Sequence, residues 1–185
     1  MNKRKLDTYH HGDLRSDIIE KSSSIIAKNG SLDFSIRDIS KLCGVSPAAI
    51  YRHFKTRNEI VVTIALEGIK ILKNNFEEIR LSKNPSLIKL GMAYISFAKE
   101  YEGFFRAMNF RQIAEMKEYT EVETISEQLI SYIFEFVAKG TPTNKVKMNT
   151  QTLIAYVHGA SFLSIDGCIN LKEKEIEKSL KAILN

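Results

Sequence analysis

Residues 35–54 read Ser-Ile-Arg-Asp-Ile-Ser-Lys-Leu-Cys-Gly-Val-Ser-Pro-Ala-Ala-Ile-Tyr-Arg-His-Phe. Two short segments with apolar residues at helical spacing meet at Gly44, and glycine readily adopts the positive φ that a sharp turn requires. Ser35 and Asp38 have the spacing of a capping box, which predicts that the first helix begins at Ser35. The stretch therefore predicts two helices joined by a glycine turn.

The second of these helices begins at Ser46, with Pro47 at its first position, where a missing N–H costs nothing. Ile50 and Phe54, one helical turn apart, are predicted to anchor it in the core. Its small, aromatic and basic residues are then left on the outer face. A helix-turn-helix presents its second helix to the major groove of DNA in this way.

Helical spacing continues on both sides of this motif, and strand signals are nearly absent. The sequence predicts an all-α protein of about nine helices, with a helix-turn-helix domain over residues 1–60 and a helical ligand-binding and dimerisation domain over residues 61–185. A helix from about residue 57 links the two. The predicted helices span about 13–29, 35–42, 46–54, 56–81, 85–101, 103–118, 121–139, 144–169 and 171–184.

The composition of the 185 residues, 44% hydrophobic and 26% charged with a net charge of +5, fits a globular protein. Residues 1–70 hold 12 Lys and Arg against 8 Asp and Glu, whereas the remainder holds 15 against 14, so the basic excess lies with the helix-turn-helix. Cys43 and Cys168 form neither a disulfide framework nor a zinc motif. No signal peptide or membrane-length apolar run is apparent, so we expect a reducing, cytoplasmic setting.

The N-terminal block resembles the DNA-binding domain of the TetR family of transcriptional regulators. The resemblance rests on Gly44-Val-Ser46, on Ile50-Tyr-Arg-His-Phe54 and on Thr56-Arg-Asn-Glu-Ile60, in this order. Tyr9-His-His-Gly12 and Tyr156-Val-His-Gly159 also resemble a subgroup with a Trp/Val-His-Gly signature, a partial match because the chain has no tryptophan. The family usually has lysine near the start of the fourth helix, where this chain has arginine, which keeps the charge but alters the contact geometry.

The resemblance implies a set of residues that contact DNA. The small pair Ala48 and Ala49 suits contacts with thymine methyl groups, and Tyr51 and His53 suit contacts with phosphates. The full predicted set comprises Ser35, Arg37, Ser46, Pro47, Ala48, Ala49, Tyr51, His53, Lys55, Thr56 and Arg57.

Aromatic and methionine residues become dense beyond Pro85, and such side chains form adaptable apolar walls. The same stripe also fits an ordinary hydrophobic core. Together with the family resemblance it predicts a cavity for an apolar or amphipathic small-molecule effector. The predicted lining comprises Phe97, Tyr101, Phe104, Met108, Phe134, His158 and Phe162.

The last two helices are the predicted dimer interface, because two copies would pack as a four-helix bundle and place two recognition helices about one DNA turn apart. A dimer of this kind binds a palindromic operator in double-stranded DNA. The leading hypothesis is therefore a dimeric transcriptional repressor that a small molecule releases from its operator.

Two other classes of function compete with this hypothesis. A nucleoid-organising or division-associated DNA-binding protein on the same scaffold would lack an inducer. An enzyme is disfavoured, because the four histidines, at positions 10, 11, 53 and 158, form no His-Glu-x-x-His array and no glycine-rich phosphate loop is present. We expect neither a metal nor a cofactor, and no membrane partner.

Overall fold

The computed structural model describes residues 13–110, 119–140 and 142–184, and within these ranges it is helical without any strand. The predicted all-α fold class is confirmed. The described helices are α1 (Leu14–Asn29), α2 (Ile36–Leu42), α3 (Pro47–Tyr51), α4 (Arg57–Arg80), α5 (Leu87–Glu100), α6 (Glu102–Met108), α7 (Thr120–Gly140), α8 (Thr143–Ile165) and α9 (Glu173–Leu184). The Tyr9–Gly12 segment of the family resemblance lies outside the described residues.

The first helices begin and end where their capping residues dictate. The Ser35 side chain accepts from the Asp38 backbone N–H at 3.1 Å, and the Asp38 carboxylate accepts from the Ser35 N–H at 3.0 Å, which completes the predicted capping box. Gly44 has a φ of 67°, as the sharp turn requires. The Ser46 hydroxyl then caps α3 by accepting from the Ala49 N–H at 3.3 Å.

Helix α4, with 24 residues, connects the two parts of the chain. The Thr56 hydroxyl accepts from the Glu59 N–H at 3.1 Å, but the Glu59 carboxylate accepts from the N–H of Lys55, one residue before the cap. Thr56 and Glu59 have the spacing of a capping box, but its carboxylate side is shifted by one residue. Buried residues along α4 make the core continuous from α1 through to the C-terminal helices: Ile60, Val61, Val62, Ile64, Ala65, Gly68, Ile69, Leu72 and Phe76.

The C-terminal part packs α5 at its centre, against α4, α6, α8 and α9. Gly91 of α5 allows α9 to approach closely, because a methyl group there would lie 2.9 Å from the Leu180 side chain. Ile176 and Leu180 are the buried anchors of α9. Burial of these apolar side chains, rather than intrinsic helix propensity, stabilises so short a terminal helix.

Helix α6 ends at Met108, so the prediction of one helix over 103–118 was wrong in its described part. Two side chains donate to backbone carbonyls that would otherwise accept the next hydrogen bonds of the helix. The Asn109 amide donates to the Phe105 carbonyl at 2.9 Å, and the Tyr119 hydroxyl donates to the Met108 carbonyl at 2.6 Å. The rest of the predicted span, residues 111–118, lies outside the described residues.

Helix α8 ends at Ile165, four residues before the predicted end. Gly167 adopts a φ of 72°, its N–H donates to the Ser164 carbonyl, and the Cys168 N–H donates to the Leu163 carbonyl. These two bonds form a Schellman motif, which ends a helix. The predicted end at residue 169 followed the apolar spacing through Ile169, but Gly167 ends the helix earlier.

Candidate DNA-contact surface and ligand cavity

Two buried side chains hold α3 against the domain core and leave its other flank exposed. Ile50 is 0% exposed and Phe54 is 1% exposed, whereas Tyr51 is 53% exposed. The exposed flank of α3 comprises Ser46, Pro47, Ala48, Tyr51, Arg52 and His53. A short helix held in this manner can enter a groove without rearrangement of the core.

Ala49 was predicted to contact bases, but the structure places its side chain in the core, 6% exposed. It precedes Ile50 by a single residue and shares the inward side of the short helix with it. Its backbone N–H is bonded to the Ser46 hydroxyl. Ala48 is the member of the pair that remains exposed.

Four further residues predicted to contact DNA are exposed at the starts of α2 and α4: Ser35, Arg37, Lys55 and Thr56. Ser35 and Thr56 are the N-caps of these helices. Backbone N–H groups at a helix N-terminus favour anions such as phosphates. These residues stay predictions as DNA contacts.

The Arg57 side chain, in contrast, turns into the domain. One of its terminal nitrogens donates to the Leu32 carbonyl at 2.6 Å, and the guanidinium lies 5.3 Å from the centroid of the Phe34 ring. Its Nε atom is buried without a hydrogen-bond partner. The predicted role of Arg57 as a phosphate contact conflicts with this placement, because the guanidinium already binds the loop between α1 and α2.

A cavity of about 200 Å³ lies among α4, α5, α7 and α8, at the C-terminal end of α6. Its walls are mostly aliphatic. They are formed by Ile69, Leu72, Phe76, Leu87, Leu90, Gly91, Tyr94, Met108, Asn109, Ser126, Leu129, Ile130, Ile133, Leu153, Ile154, Val157 and His158. Concave apolar sites with a few polar groups are the usual form of small-molecule sites.

The polar groups of the cavity are centred on Tyr94 and His158. The Tyr94 hydroxyl and the His158 Nδ1 atom are 2.8 Å apart, and this hydrogen bond joins α5 to α8. Burial lowers the pKa of His158 and raises the pKa of Tyr94, with a hydrogen bond from Asn109 opposing the latter shift. Both side chains are therefore neutral near pH 7.

Two of the residues predicted to line the cavity, Met108 and His158, do line it, and the other five lie elsewhere. Phe97 stacks on Tyr101 with ring centroids 5.5 Å apart, and Tyr101 meets Phe104 at 6.3 Å beside α1. Phe162 packs against Phe105 at 5.0 Å. Phe134 is exposed on α7.

The aromatic side chains thus pack α5, α6 and α8 together beside the cavity, which agrees with the alternative that they belong to an ordinary hydrophobic core. Sequence reasoning missed Tyr94 and Asn109. Tyr94 stands at helical spacing from Leu87 and Leu90, so a tyrosine on an inward apolar stripe was the available signal.

Within the described ranges, no helix has the length and hydropathy needed to cross a bilayer. In the same part of the chain, no three His, Cys, Asp or Glu side chains gather where they could hold a metal ion. Cys43 and Cys168 are free thiols.

Residues 18–64 match the family model described as bacterial regulatory proteins of the tetR family. No protein with curated annotation matches the chain in sequence. The matched segment runs from within α1 into α4, so it contains the whole helix-turn-helix.

Solved structures that include transcriptional regulators share the fold over nearly the whole chain. PfmR from Thermus thermophilus, a TetR family transcriptional regulator, superposes with a TM-score of 0.76 at 19% identity, over 90% of this chain and 96% of its own. The ketosteroid transcriptional regulator KstR2 of Mycobacterium tuberculosis superposes with a TM-score of 0.72 at 16% identity, over 94% of this chain and 93% of its own. AibR, solved with isovaleryl coenzyme A and operator DNA, superposes with a TM-score of 0.73 at 12% identity, over 90% of this chain and 95% of its own.

The family model describes regulatory proteins, and PfmR and KstR2 are transcriptional regulators rather than enzymes. Residues 18–64 therefore match the tetR family of bacterial regulatory proteins, and the chain as a whole has the fold that these solved transcriptional regulators share.

Proposed function

We propose that this protein is a dimeric, sequence-specific transcriptional repressor that a small molecule releases from a palindromic operator. The observation that carries the proposal is the exposed flank of α3, supported by Ile50 and Phe54 in the core. We assign DNA binding to residues 1–60 and ligand binding and dimerisation to residues 61–185. Such a regulator acts on the chromosome, in the cytoplasm.

On the exposed flank of α3, Ala48 is the side chain suited to a thymine methyl group, and Tyr51 and His53 are suited to phosphates. Ser46 and Pro47 lie at the start of the same helix, where the backbone can approach DNA closely. AibR, which shares the fold, binds operator DNA and a ligand, and this supports the same pair of activities here.

An exposed stripe on α8 supports dimerisation through the last two helices. Met148, Thr152, Ala155 and Leu163 are exposed and Gly159 is half-buried, and the five recur at spacings of three and four residues and therefore share one face. A methyl group at Gly159 would meet nothing within 4 Å. Glycine weakens a helix interior, and no neighbour among the described residues requires it there, so close approach of a second copy explains it.

Helix α6 is the element that would couple the cavity to DNA binding. Its end, at Met108 and Asn109, lines the cavity. Near its start, Gly103 contacts the backbone of Ser23 in α1 so closely that a methyl group would collide with the Ser23 carbonyl. A ligand that binds one position of α6 better than another would shift α1 and α4, and with them the spacing of the two recognition helices.

The cavity favours this function over a nucleoid-organising or division-associated protein without an inducer. A protein that only organises DNA has no need of an apolar cavity next to the DNA-binding domain, and unfilled space of this kind lowers stability. A screen of small apolar compounds by thermal shift separates the two, because the alternative predicts that none raises the melting temperature.

The DNA-binding surface is tested by a gel shift on a palindromic operator with the Ala48→Arg and Tyr51→Ala variants. Ala48→Arg places a bulky charge on the exposed flank, and we expect it to weaken operator binding by about tenfold or more, the order of one lost base contact. Asn74→Arg is the matched control, since it adds the same charge to an exposed position in the middle of α4.

We expect Asn74→Arg to bind the operator as the unchanged protein does. Equal binding by all variants would rule out the exposed flank of α3 as the reading surface. Thermal melting of each variant shows whether a loss of binding reflects unfolding.

A further inference from the structure

The walls of the cavity contain no aspartate, glutamate, lysine or arginine among the described residues. Its polar groups are the neutral side chains of Tyr94, Asn109, Ser126 and His158. An ionised ligand would therefore lie in an apolar site without a counter-charge, which is strongly unfavourable. The site selects against cations and anions alike.

Most of the hydrogen-bonding capacity of these groups is already used within the protein. The Ser126 hydroxyl donates to the Val122 carbonyl at 2.8 Å, and the Asn109 amide donates to the Phe105 carbonyl at 2.9 Å. The Tyr94 hydroxyl lies 2.8 Å from His158 Nδ1 and is bonded to it.

The bond between Tyr94 and His158 assigns the histidine tautomer. Burial separates the Tyr94 hydroxyl from water, and His158 Nδ1 lies 2.8 Å away as an acceptor, so we assign the Tyr94 O–H as the donor to Nδ1. A neutral imidazole that accepts at Nδ1 carries its hydrogen on Nε2. His158 therefore offers an N–H donor to a molecule in the cavity that it lines.

We propose that the effector is a compact, uncharged, largely apolar molecule with a single carbonyl oxygen that accepts a hydrogen bond from His158 Nε2–H. This deepens the proposed function and rests on it, because the cavity is the site proposed for the releasing ligand. Aliphatic walls from α4, α5, α7 and α8 enclose the hydrocarbon part, and His158 orients the oxygen.

The test uses a matched set of compounds of nearly equal shape with the full chain. The neutral ketone is acetylcyclohexane and the hydrocarbon is isopropylcyclohexane. The anion is cyclohexanecarboxylate and the cation is 1-cyclohexylethylammonium. Affinity is measured by calorimetric titration at about pH 7.5, where His158 is neutral. We expect the ketone to bind about tenfold more tightly than the hydrocarbon, as one buried hydrogen bond provides, and more tightly still than either ion.

Two variants test the role of the histidine. His158→Leu keeps an apolar wall but removes the donor, and we expect it to bind ketone and hydrocarbon equally. Tyr94→Phe removes the hydroxyl that fixes the tautomer but keeps the ring, and we expect it to reduce the preference for the ketone. Thermal melting of both variants shows whether they fold.

The proposal is overturned if either ion binds as tightly as the ketone, if none of the compounds binds, or if folded His158→Leu keeps the preference for the ketone. A gel shift with the same compounds tests release from the operator separately from binding of the ligand. Selective binding of the ketone without loss of operator binding upholds the ligand class and contradicts ligand-induced release.

Discussion

At the start of α4, the Arg57 guanidinium binds the Leu32 carbonyl at 2.6 Å and lies over the Phe34 ring. This contact fastens the loop between α1 and α2 to the helix that leaves the DNA-binding domain. Lysine keeps the charge but lacks the planar group with several donors. We predict that Arg57→Lys lowers the free energy of unfolding by about 1–3 kcal/mol, measured by urea denaturation.

The salt dependence of DNA binding separates this role from a phosphate contact. Loss of one phosphate contact reduces the slope of log affinity against log salt by about 0.9. We expect Arg57→Gln to leave that slope unchanged, with exposed Lys55→Gln as the comparison. A slope reduced by Arg57→Gln to the extent of a full phosphate contact would contradict the inward role of this arginine.

His158 gives the protein a pH dependence of stability with a definite sign. Burial against Tyr94, Phe105 and Phe162 lowers its pKa from the usual 6.5, so the unfolded state binds the proton more readily. We predict that the contribution of neutral His158 to the free energy of unfolding is fully present above pH 6.5. It is lost progressively as the pH falls through the lower pKa of the folded state.

Urea denaturation between about pH 8 and pH 5, a range that brackets the usual histidine pKa, measures this effect as the difference between the unchanged protein and His158→Gln. The contributions of other titrating groups to the free energy of unfolding cancel in this difference to first order. A difference that does not change with pH would show that His158 has the same pKa in the folded and unfolded chains.

At the scale of single residues, sequence reasoning identified positions whose environment is local. Ser46, Ala48, Tyr51 and His53 were predicted on the outer face of α3, and the structure places them there. Ala49 and the lining of the cavity depend on which helices meet across the core, which spacing along one helix does not specify. Aliphatic residues from four helices form most of that lining.

Helix boundaries were predicted well wherever the stop or start lies in the capping residues themselves. Asp13, Ser35, Ser46 and Thr56 all begin helices, as predicted. The end of α6 depends on the Tyr119 hydroxyl, eleven residues from the carbonyl that it binds, and such a contact is not visible in a local pattern.

The contact between α1 and α6 gives a prediction at the scale of elements. Gly103 is buried, and a methyl group there would collide with backbone rather than with a flexible side chain. We predict that Gly103→Ala lowers the free energy of unfolding by about 1–3 kcal/mol through overpacking, measured by urea denaturation.

Asn74→Ala is the matched control, because Asn74 is exposed in the C-terminal half of α4. We expect it to raise the free energy of unfolding by at most about 0.7 kcal/mol through helix propensity. Equal effects of the two substitutions would contradict the tight contact between α1 and α6.

For the whole molecule, the stripe on α8 predicts how the protein assembles. Gly159→Arg places a long charged side chain at the centre of that stripe, and we predict a monomer with the helical content of the unchanged protein. Sedimentation velocity measures the assembly and circular dichroism the fold, with Asn74→Arg as the control for added charge. A dimer that withstands Gly159→Arg would show that the copies meet elsewhere.

Selection of bound duplexes from a random DNA library by the full chain tests most directly whether the exposed flank of α3 reads DNA. We predict enrichment of a palindrome whose half-sites are about 34–36 Å apart, one helical turn or a multiple of it. We also predict that folded Ala48→Arg no longer enriches that sequence, whereas Asn74→Arg does. Enrichment of no sequence by the unchanged protein, or of the same palindrome by Ala48→Arg, would contradict this role of the exposed flank of α3.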